Sequence, residues 1–315
     1  MNGRRVWFVL MASANFLVAG AVRLPRGEWV VHPAATAAAV AENEELRIAS
    51  VGPAVTEIVF ALGLERSVVA VDSASTYPRA ARQKAQVGYF RAISAEGVLS
   101  RRPNLILLSA DAGPAHAIEQ LRSTGIPTVV LPAVREAGAI PTLVRQIGDW
   151  TGHTGAAAAL AQQLANRIQQ LRERANSVTM RPRVLVVFAP TSGTVLVGGE
   201  ESVPAQLVRL AGGENAASSS VEMAPLSAEG VLQAAPDIIV ATEHTLSVLD
   251  GGDGLWQLPG LSRTPAGRTR KLFVAPDVGV LSLGPTFVRC AAALYEVLHA
   301  GAQSSRCGEE HGRDA

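Results

Sequence analysis

Tyrosine is scarce in this sequence of 315 residues, and one of its three tyrosines stands where it could bind a metal. Tyr77 follows an apolar run typical of a buried strand, and Pro78 after it favours an extended backbone. Ligand sites of open α/β sheets lie at strand ends, and a phenolate is an anionic oxygen donor suited to ferric iron. Free tyrosine loses its proton only near pH ~10, so a nearby positive charge must favour the phenolate. Arg79, two residues on, can supply that charge.

The same local pattern also fits an ordinary tyrosine at the rim of a cleft, so spacing alone leaves two interpretations of Tyr77. Tyr89 is the alternative metal ligand, although in Val-Gly-Tyr-Phe-Arg its ring can equally line a pocket or pack beneath one. Arg91 ends that segment and can pair with an anionic group of a ligand or lie in solvent. The segment therefore contributes two further candidate binding residues.

Histidine could supply a second ligand, and the six histidines are scattered along the chain. His244 stands in the second half beside Thr242 and Glu243, where a surface histidine is the favoured interpretation. His116 and His153 lie near a predicted helix start and a predicted helix break, which favours structural roles. A zinc or manganese site needs several such ligands together, so this spacing disfavours transport of those ions.

An internal repeat belongs to the elements that must position these residues. Ser-Ala-Glu-Gly-Val-Leu occurs at 94–99 and again, with all six residues identical, at 227–232, an offset of 133 residues (227 minus 94). Pro-Asn-Leu-Ile-Leu at 103–107 and Pro-Asp-Ile-Ile-Val at 236–240 follow at the same offset. In each copy the serine is a typical helix N-cap, the proline ends the helix and the apolar run begins a buried strand. The repeat predicts two similar halves.

Strands and helices alternate on both sides of the repeat, and a glycine ends each predicted helix. The fold class is therefore α/β, with two similar Rossmann-like lobes. The strands predicted from apolar runs are 47–51, 67–71, 128–131, 183–187 and 272–274, and the helices are 56–62 and 204–211.

A helix-rich segment at 140–176 separates the halves, with an interruption predicted at Gly152 and His153. We expect one long amphipathic helix to join the lobes, so that they close on a ligand by a small rotation. Its apolar stripe consists of Leu160, Leu164, Ile168 and Leu171.

The N-terminus is typical of a secretory signal, because Arg4 and Arg5 precede an apolar stretch that ends in Ala-Gly-Ala at 19–21. A retained membrane anchor is the alternative, although the stretch is short and interrupted by polar residues. We therefore expect a periplasmic protein. The predicted organisation is 1–21 signal peptide, 22–45 leader or linker, 46–133 N-terminal lobe, 134–178 linking helix, 179–300 C-terminal lobe and 301–315 tail.

Composition excludes several functional classes. Lysine and arginine number 28 against 27 acidic residues, and no long basic run indicates a nucleic-acid partner. Cys290 and Cys307 are too few for a thiolate metal site, although one bridge between the C-terminal helix and the tail is possible in an oxidising compartment. Neither a glycine-rich phosphate loop nor a Gly-x-Ser-x-Gly elbow occurs, so we expect a protein that is not an enzyme.

Five segments together resemble the helical-backbone, or class III, periplasmic solute-binding proteins. They are Arg-Ile-Ala-Ser-Val-Gly-Pro-Ala-Val-Thr-Glu-Ile at 47–58, Val-Ala-Val-Asp-Ser-Ala-Ser-Thr-Tyr-Pro at 69–78, Val-Gly-Tyr at 87–89 and both copies of the repeat. The resemblance covers residues 46–300, and the class includes binders of cobalamin, siderophores and haem. Asp-Ser-x-Ser-x-Tyr-Pro and Val-Gly-Tyr-Phe-Arg look most like the haem-binding components of bacterial importers.

The resemblance implies that haem is the cargo, with Tyr77 as the axial ligand of its iron and Arg79 as the supporting basic residue. Tyr89 and Arg91 complete the expected binding set, and Arg91 could pair with a haem propionate. The chain departs from the family pattern at Thr286, where the family has the arginine of Gly-Pro-Arg. Another large chelate, a cobalamin or a ferric siderophore, is the alternative cargo.

Glu96 and Glu229 occupy the same place in the two copies of the repeat. The resemblance implies that they form salt bridges with arginines on the two permease subunits of an ABC transporter, which also has ATPase subunits. A two-fold permease suits a monomeric binder with two similar lobes. Each glutamate could also simply favour its helix dipole, an effect worth ~0.3–1 kcal/mol.

Overall fold

The computed structural model describes residues 45–189, 195–217, 219, 221–299 and 304–307, together with two paired antiparallel strands, β1 (Ala21–Arg23) and β2 (Trp29–Val31). The signal peptide predicted at 1–21 lies outside these residues except for Ala21, as do most of the predicted leader and tail. None of the helices described is both long and apolar enough to cross a bilayer.

The first lobe contains a parallel sheet and a separate antiparallel hairpin. The sheet has β3 (Ile48–Val51), β4 (Val68–Val71), β5 (Ala85–Gln86), β8 (Leu105–Leu108) and β9 (Thr128–Val130), and the hairpin has β6 (Gly88–Tyr89) and β7 (Ala92–Ile93). The strand order of the sheet is β5-β4-β3-β8-β9. All residues of β3 and β8 are buried, as expected of central strands covered on both faces.

Three helices flank this sheet: α1 (Pro53–Ala61), α2 (Ala95–Leu99) and α3 (Ala115–Ser123). Short 3-10 turns at Glu65–Ser67, Arg79–Gln83 and Ala137–Ala139 connect the strands and helices. Helix α1 begins three residues before its predicted start at 56, because Pro53 suits the first position of a helix. Strand β4 begins one residue after the predicted 67, since Ser67 belongs to a 3-10 turn.

Two consecutive helices join the lobes, α4 (Ile140–Thr151) and α5 (Thr154–Ser177). The predicted interruption is confirmed: Gly152 has a φ of 74°, which glycine adopts readily, and it ends α4. His153 lies at the break with Nδ1 2.7 Å from the carbonyl oxygen of Thr151, so its role is structural, as predicted. The predicted apolar stripe lies on the packed side of α5, where its four leucine and isoleucine residues are buried or partly buried.

The second lobe has a mixed sheet. Its strands are β10 (Arg183–Phe188), β11 (Leu196–Gly198), β12 (Glu214–Asn215), β13 (Met223–Pro225), β14 (Ile238–Thr242), β15 (Leu272–Ala275) and β16 (Ser304–Arg306). Strands β10, β14 and β15 are parallel, whereas β11 runs antiparallel to both of its neighbours, β10 and β13. The helices are α6 (Val203–Leu210), α7 (Ala228–Ala234), α8 (Glu243–Val248), α9 (Gly252–Trp256), α10 (Pro265–Thr269), α11 (Asp277–Leu281) and α12 (Pro285–His299).

The sequence repeat corresponds to an equivalent arrangement in the two lobes. Ile48 of β3 pairs with Leu105 of β8, and Val184 of β10 pairs with Ile238 of β14, both in parallel. In each lobe the serine predicted as an N-cap accepts a hydrogen bond from the glycine three residues on, at 3.1 Å in the first lobe and 3.0 Å in the second. The prediction of an α/β fold with two similar lobes is confirmed, apart from the antiparallel strands of the second sheet.

The C-terminal helix α12 connects the second lobe with the rest of the molecule. It packs against α1 of the first lobe and against α5, and one hydrophobic core extends through both lobes and the joining helices. A disulfide between Cys290 and Cys307 ties α12 to the residue that follows β16. The bridge that the sequence allows is therefore present.

Candidate ligand-binding cleft

A cavity of about 1110 Å³ lies between the lobes, at the carboxyl ends of β4, β14 and β15. Loops at these strand ends form the usual ligand sites of open α/β sheets. The first lobe lines the cavity with Ser73, Ala74, Thr76, Arg82, Gln86 and Tyr89, and the second with Phe188, Ala189, Leu196, Met223, Glu243, His244, Thr245, Ser247, Asp277 and Leu281.

Buried hydrogen bonds shape the loop that carries Tyr77. Asp72 is fully buried, and its carboxylate accepts hydrogen bonds from the backbone of Gly52 at 2.7 Å and of Ala74 at 2.9 Å. Ser75 Oγ lies 2.5 Å from Asp72 Oδ2 and 2.9 Å from Thr56 Oγ1. The acid and the second serine of Asp-Ser-x-Ser thus anchor the loop to α1 and do not face the cavity.

Tyr77 is half-buried, and its hydroxyl meets a guanidinium of the opposite lobe. Arg289 Nη2 donates a hydrogen bond to Tyr77 Oη at 2.5 Å, and Arg289 Cζ lies 5.4 Å from the centroid of the tyrosine ring. The peptide bond between Tyr77 and Pro78 is cis. Thr76 lines the cavity, whereas Tyr77, the next residue in the chain, is not among the residues that line it.

Sequence reasoning missed Arg289, which lies one helical turn beyond the position where the family pattern has its arginine. Thr286 occupies that position, and residues three apart lie on the same face of a helix. Arg289 also donates to Thr286 Oγ1 at 3.2 Å, which orients its guanidinium. The signal that could have revealed it is an arginine at i+3 from the missing one.

Arg79 begins a 3-10 turn and is exposed. In the same turn Arg82 lines the cavity, and its Nε donates to the carbonyl oxygen of Thr76 at 2.9 Å. This second arginine, which the sequence reasoning did not select, therefore has a fixed place at the wall of the first lobe.

Tyr89 and Arg91 lie on the β6–β7 hairpin. Tyr89 is 46% exposed and lines the cavity, with its ring centroid 4.5 Å from that of Phe90. Arg91 stacks on Phe90, with Cζ 5.0 Å from the ring centroid, and is not among the residues that line the cavity. Of this predicted pair, the structure therefore places Tyr89 in the lining of the cavity.

His244 is among the residues that line the cavity, and it is also exposed, as expected of a surface histidine. It is the second residue of α8, and its neighbour Glu243 and the more distant Asp277 line the same wall. His116 is exposed on α3, outside the residues that line the cavity. Within the described part of the chain no three histidine, cysteine or acidic residues are grouped so as to hold a metal ion.

Glu57 is a buried carboxyl between the lobes. It lies on α1, is 4% exposed and accepts a hydrogen bond from the backbone N–H of Thr286. Burial raises the pKa of Glu57 from 4.5 to about 7, while hydrogen bonds from Thr286 and the charge of Arg289 act in the opposite direction. Sequence reasoning did not single this residue out.

Glu96 and Glu229 lie away from the cavity, each in the first turn of its helix and exposed to solvent. The repeat places them at equivalent positions of α2 and α7. Their arrangement leaves both carboxylates accessible to a partner.

Comparisons with known proteins place the chain in a family. It matches the family model of periplasmic binding proteins over residues 48–278. The periplasmic haem-binding protein RhuT from Roseiflexus sp. RS-1, in its apo form, is 34% identical with a TM-score of 0.76, over 82% of this chain and 100% of that one. The periplasmic haem-binding protein HutB of Vibrio cholerae is 31% identical with a TM-score of 0.72, over 81% and 99%.

A further relative is the vitamin B12-binding protein of Pectobacterium carotovorum subsp. carotovorum (strain PC1). It is 31% identical over 198 residues, which are 62% of this chain and 70% of the relative. The chain belongs to the periplasmic binding protein family.

Proposed function

We propose that this protein is the periplasmic haem-binding component of an ABC importer, which captures haem between its lobes and delivers it to the permease. The pairing of Tyr77 with Arg289 is the observation that carries the proposal. A tyrosine oxygen beside a fixed positive charge is a suitable axial ligand for ferric haem iron. The two haem-binding relatives named above support this cargo.

The cavity suits a large, flat and partly apolar cargo. Its volume of about 1110 Å³ exceeds the ~300–1,000 Å³ typical of pockets for drug-sized ligands. Four apolar side chains can contact a macrocycle. They are Phe188, Leu196, Met223 and Leu281.

To reach the iron, Tyr77 must turn its hydroxyl past Thr76 into the cavity. We propose that Arg289 keeps its hydrogen bond to Tyr77 Oη when the tyrosine binds the iron. We propose that Tyr89 lines the ligand and that Arg79 and Arg91 assist on the first-lobe side. The propionates face that side, where Arg82 lies, since Glu243 and Asp277 line the opposite wall.

We further propose that Glu96 and Glu229 dock on the two permease subunits, since equivalent acids on two similar lobes suit a two-fold partner. The ATPase subunits then complete the importer, and the binder acts as a monomer. Export by the predicted signal at 1–21 brings the chain to the periplasm, where its relatives act. Those relatives are binding proteins, and we propose that this chain is likewise not an enzyme.

A titration of the purified mature protein with hemin and, separately, with cyanocobalamin tests the cargo. We expect saturable binding of hemin with a shifted visible spectrum and much weaker binding of cyanocobalamin. The vitamin B12-binding relative makes cobalamin the second candidate. Saturable binding of cyanocobalamin without saturable binding of hemin would overturn the proposed cargo in favour of that candidate.

A further inference from the structure

Glu57 holds the start of α12 from across the boundary between the lobes. Its Oε1 accepts a hydrogen bond from the backbone N–H of Thr286. Glu57 Oε2 is buried and has no partner among the described residues. One acidic side chain of the first lobe therefore anchors the first turn of a second-lobe helix.

The approach of the two lobes at this point is close. A Cβ atom on Gly284 would come 2.5 Å from Glu57 Oε2, so a larger residue there would push α12 away from α1. The first turn of a helix presents unsatisfied N–H groups and a partial positive charge, both of which favour a carboxylate. Helix α12 is 15 residues long and presents that end to Glu57.

Thr286 connects this anchor to the ligand site. A hydroxyl donates one hydrogen bond and can accept two, so Thr286 Oγ1 can donate to Glu57 and accept from Arg289. The same Nη2 of Arg289 donates to Tyr77. A continuous chain of contacts thus runs from Glu57 through Thr286 and Arg289 to Tyr77.

We propose that Glu57 is a positioning residue for the ligand site: by fixing Thr286 and the first turn of α12, it aims Arg289 at Tyr77. This inference rests on the proposed function, because Tyr77 matters here as the ligand of haem iron. Glu57 itself does not line the cavity, so it acts through Arg289 and not on the cargo.

The charge of Glu57 should govern how firmly it holds the helix. Burial raises its pKa to about 7, and Arg289 is the charged group that acts against this shift. Of the other elements packed on α1, β3 carries no charged residue, and α4 carries Arg145 and Asp149 at exposed positions. Because burial disfavours the ionised form more than Thr286 and Arg289 favour it, the folded contact is most stable with Glu57 protonated, so the anchor weakens as pH rises past neutrality.

Hemin affinity as a function of pH tests the inference in three variants. Glu57→Gln keeps an oxygen acceptor but cannot ionise, Thr286→Val removes the hydroxyl, and Glu119→Gln alters an exposed glutamate as a control. We expect the affinity of the wild type relative to Glu57→Gln to fall ~3- to 10-fold between pH 6 and pH 8, because the buried carboxyl ionises across this range. The valine variant should bind hemin ~3- to 10-fold more weakly at both pH values, whereas the control should match the wild type.

A relative affinity that stays constant or rises between these pH values overturns the inference, and so does wild-type affinity in Thr286→Val. Hydrogen exchange of the ligand-free protein gives an independent measurement on the peptide 283–290. At pH 8 we expect faster exchange in the wild type and in Glu119→Gln than in Glu57→Gln, because only glutamine stays neutral at this buried position. Equal exchange in all three proteins counts against the anchor.

The two measurements separate this inference from the function on which it rests. Faster exchange in the wild type than in Glu57→Gln, without saturable hemin binding, would leave the anchor in place and overturn the haem function. Hemin binding that depends on Tyr77, with equal exchange and a constant relative affinity, would preserve the function and overturn the role of Glu57.

Discussion

Arg289 and Tyr77 are 212 residues apart in the sequence and belong to different lobes, yet a hydrogen bond of 2.5 Å joins Arg289 Nη2 to Tyr77 Oη. Thr76, the residue before Tyr77, lines the cavity. This contact between the lobes involves the residue that we propose as the iron ligand. We therefore expect closure of the lobes and binding of the iron to depend on the same pair of side chains.

Removal of the Arg289 charge should weaken hemin binding. A hydrogen bond to a charged group is worth ~1.5–3 kcal/mol, so Arg289→Met should raise the dissociation constant roughly 10- to 100-fold. The dissociation constant of Arg289→Lys should fall between those of the wild type and Arg289→Met, because lysine keeps the charge without the planar guanidinium. Spectral titration with hemin measures the dissociation constants. Arg145→Met, at an exposed position of α4, is the control. Equal affinity in the methionine variant and the control would rule out the supporting role.

Glu57 should make stability depend on pH between about 5 and 8. Because its folded-state pKa is raised from 4.5 to about 7, stability is fully present below pH ~4.5 and is lost as pH rises through the folded-state value. The wild type should lose ~3 kcal/mol of unfolding free energy relative to Glu57→Gln across that window. Urea unfolding of both proteins at pH 5 and pH 8 measures the difference. If the unfolding free energies of the two proteins changed in parallel with pH, burial would not shift the pKa of Glu57.

The disulfide between Cys290 and Cys307 should stabilise the second lobe. It closes a loop with a sequence separation of 17 residues and ties α12 to the strand-forming tail. Replacing both cysteines by serine should cost ~2–4 kcal/mol in urea unfolding. A reducing agent should lower the stability of the wild type and leave the double variant unchanged. A wild type that is insensitive to reduction would contradict this role.

Glu96 and Glu229, which we propose as docking residues, should affect transport without affecting capture of the cargo. Glu96→Arg and Glu229→Arg should retain hemin affinity, since neither residue lines the cavity. Each should reduce hemin uptake by the reconstituted importer, because an arginine on the permease would then face a like charge. Glu119→Arg, at an exposed position of α3, is the matched control. Unimpaired hemin uptake in the double variant that carries both Glu96→Arg and Glu229→Arg would exclude docking through these residues.

The fold could be predicted from sequence where local rules determine it. The six-residue repeat defined two helix N-caps and two buried strands, and Gly152 marked the break between α4 and α5. Helix starts were less certain, because Pro53 and Val203 begin helices that apolar spacing places slightly later. Local sequence does not reveal which strands of the second sheet turn antiparallel.

The site was harder to predict, because its contacts are tertiary. Tyr77 could be selected from its place after a strand, but its partner Arg289 could not, since the two meet only when the lobes pack. Asp72 illustrates the converse, because a residue in the motif most similar to haem binders turns out to anchor the loop through backbone hydrogen bonds. Glu57 gave no signal in the sequence beyond an acid on an apolar helix.

The visible spectrum of ferric hemin bound to Tyr77→Phe tests the central claim most directly, with Tyr89→Phe as its matched comparison. Phenylalanine keeps the ring and removes the oxygen, so packing is preserved while the proposed iron ligand is lost. We predict that Tyr77→Phe loses the wild-type spectrum and binds hemin at least ~10-fold more weakly, while Tyr89→Phe keeps the wild-type spectrum. A wild-type spectrum in Tyr77→Phe, or its loss in Tyr89→Phe alone, would contradict the assignment of Tyr77 as the axial ligand.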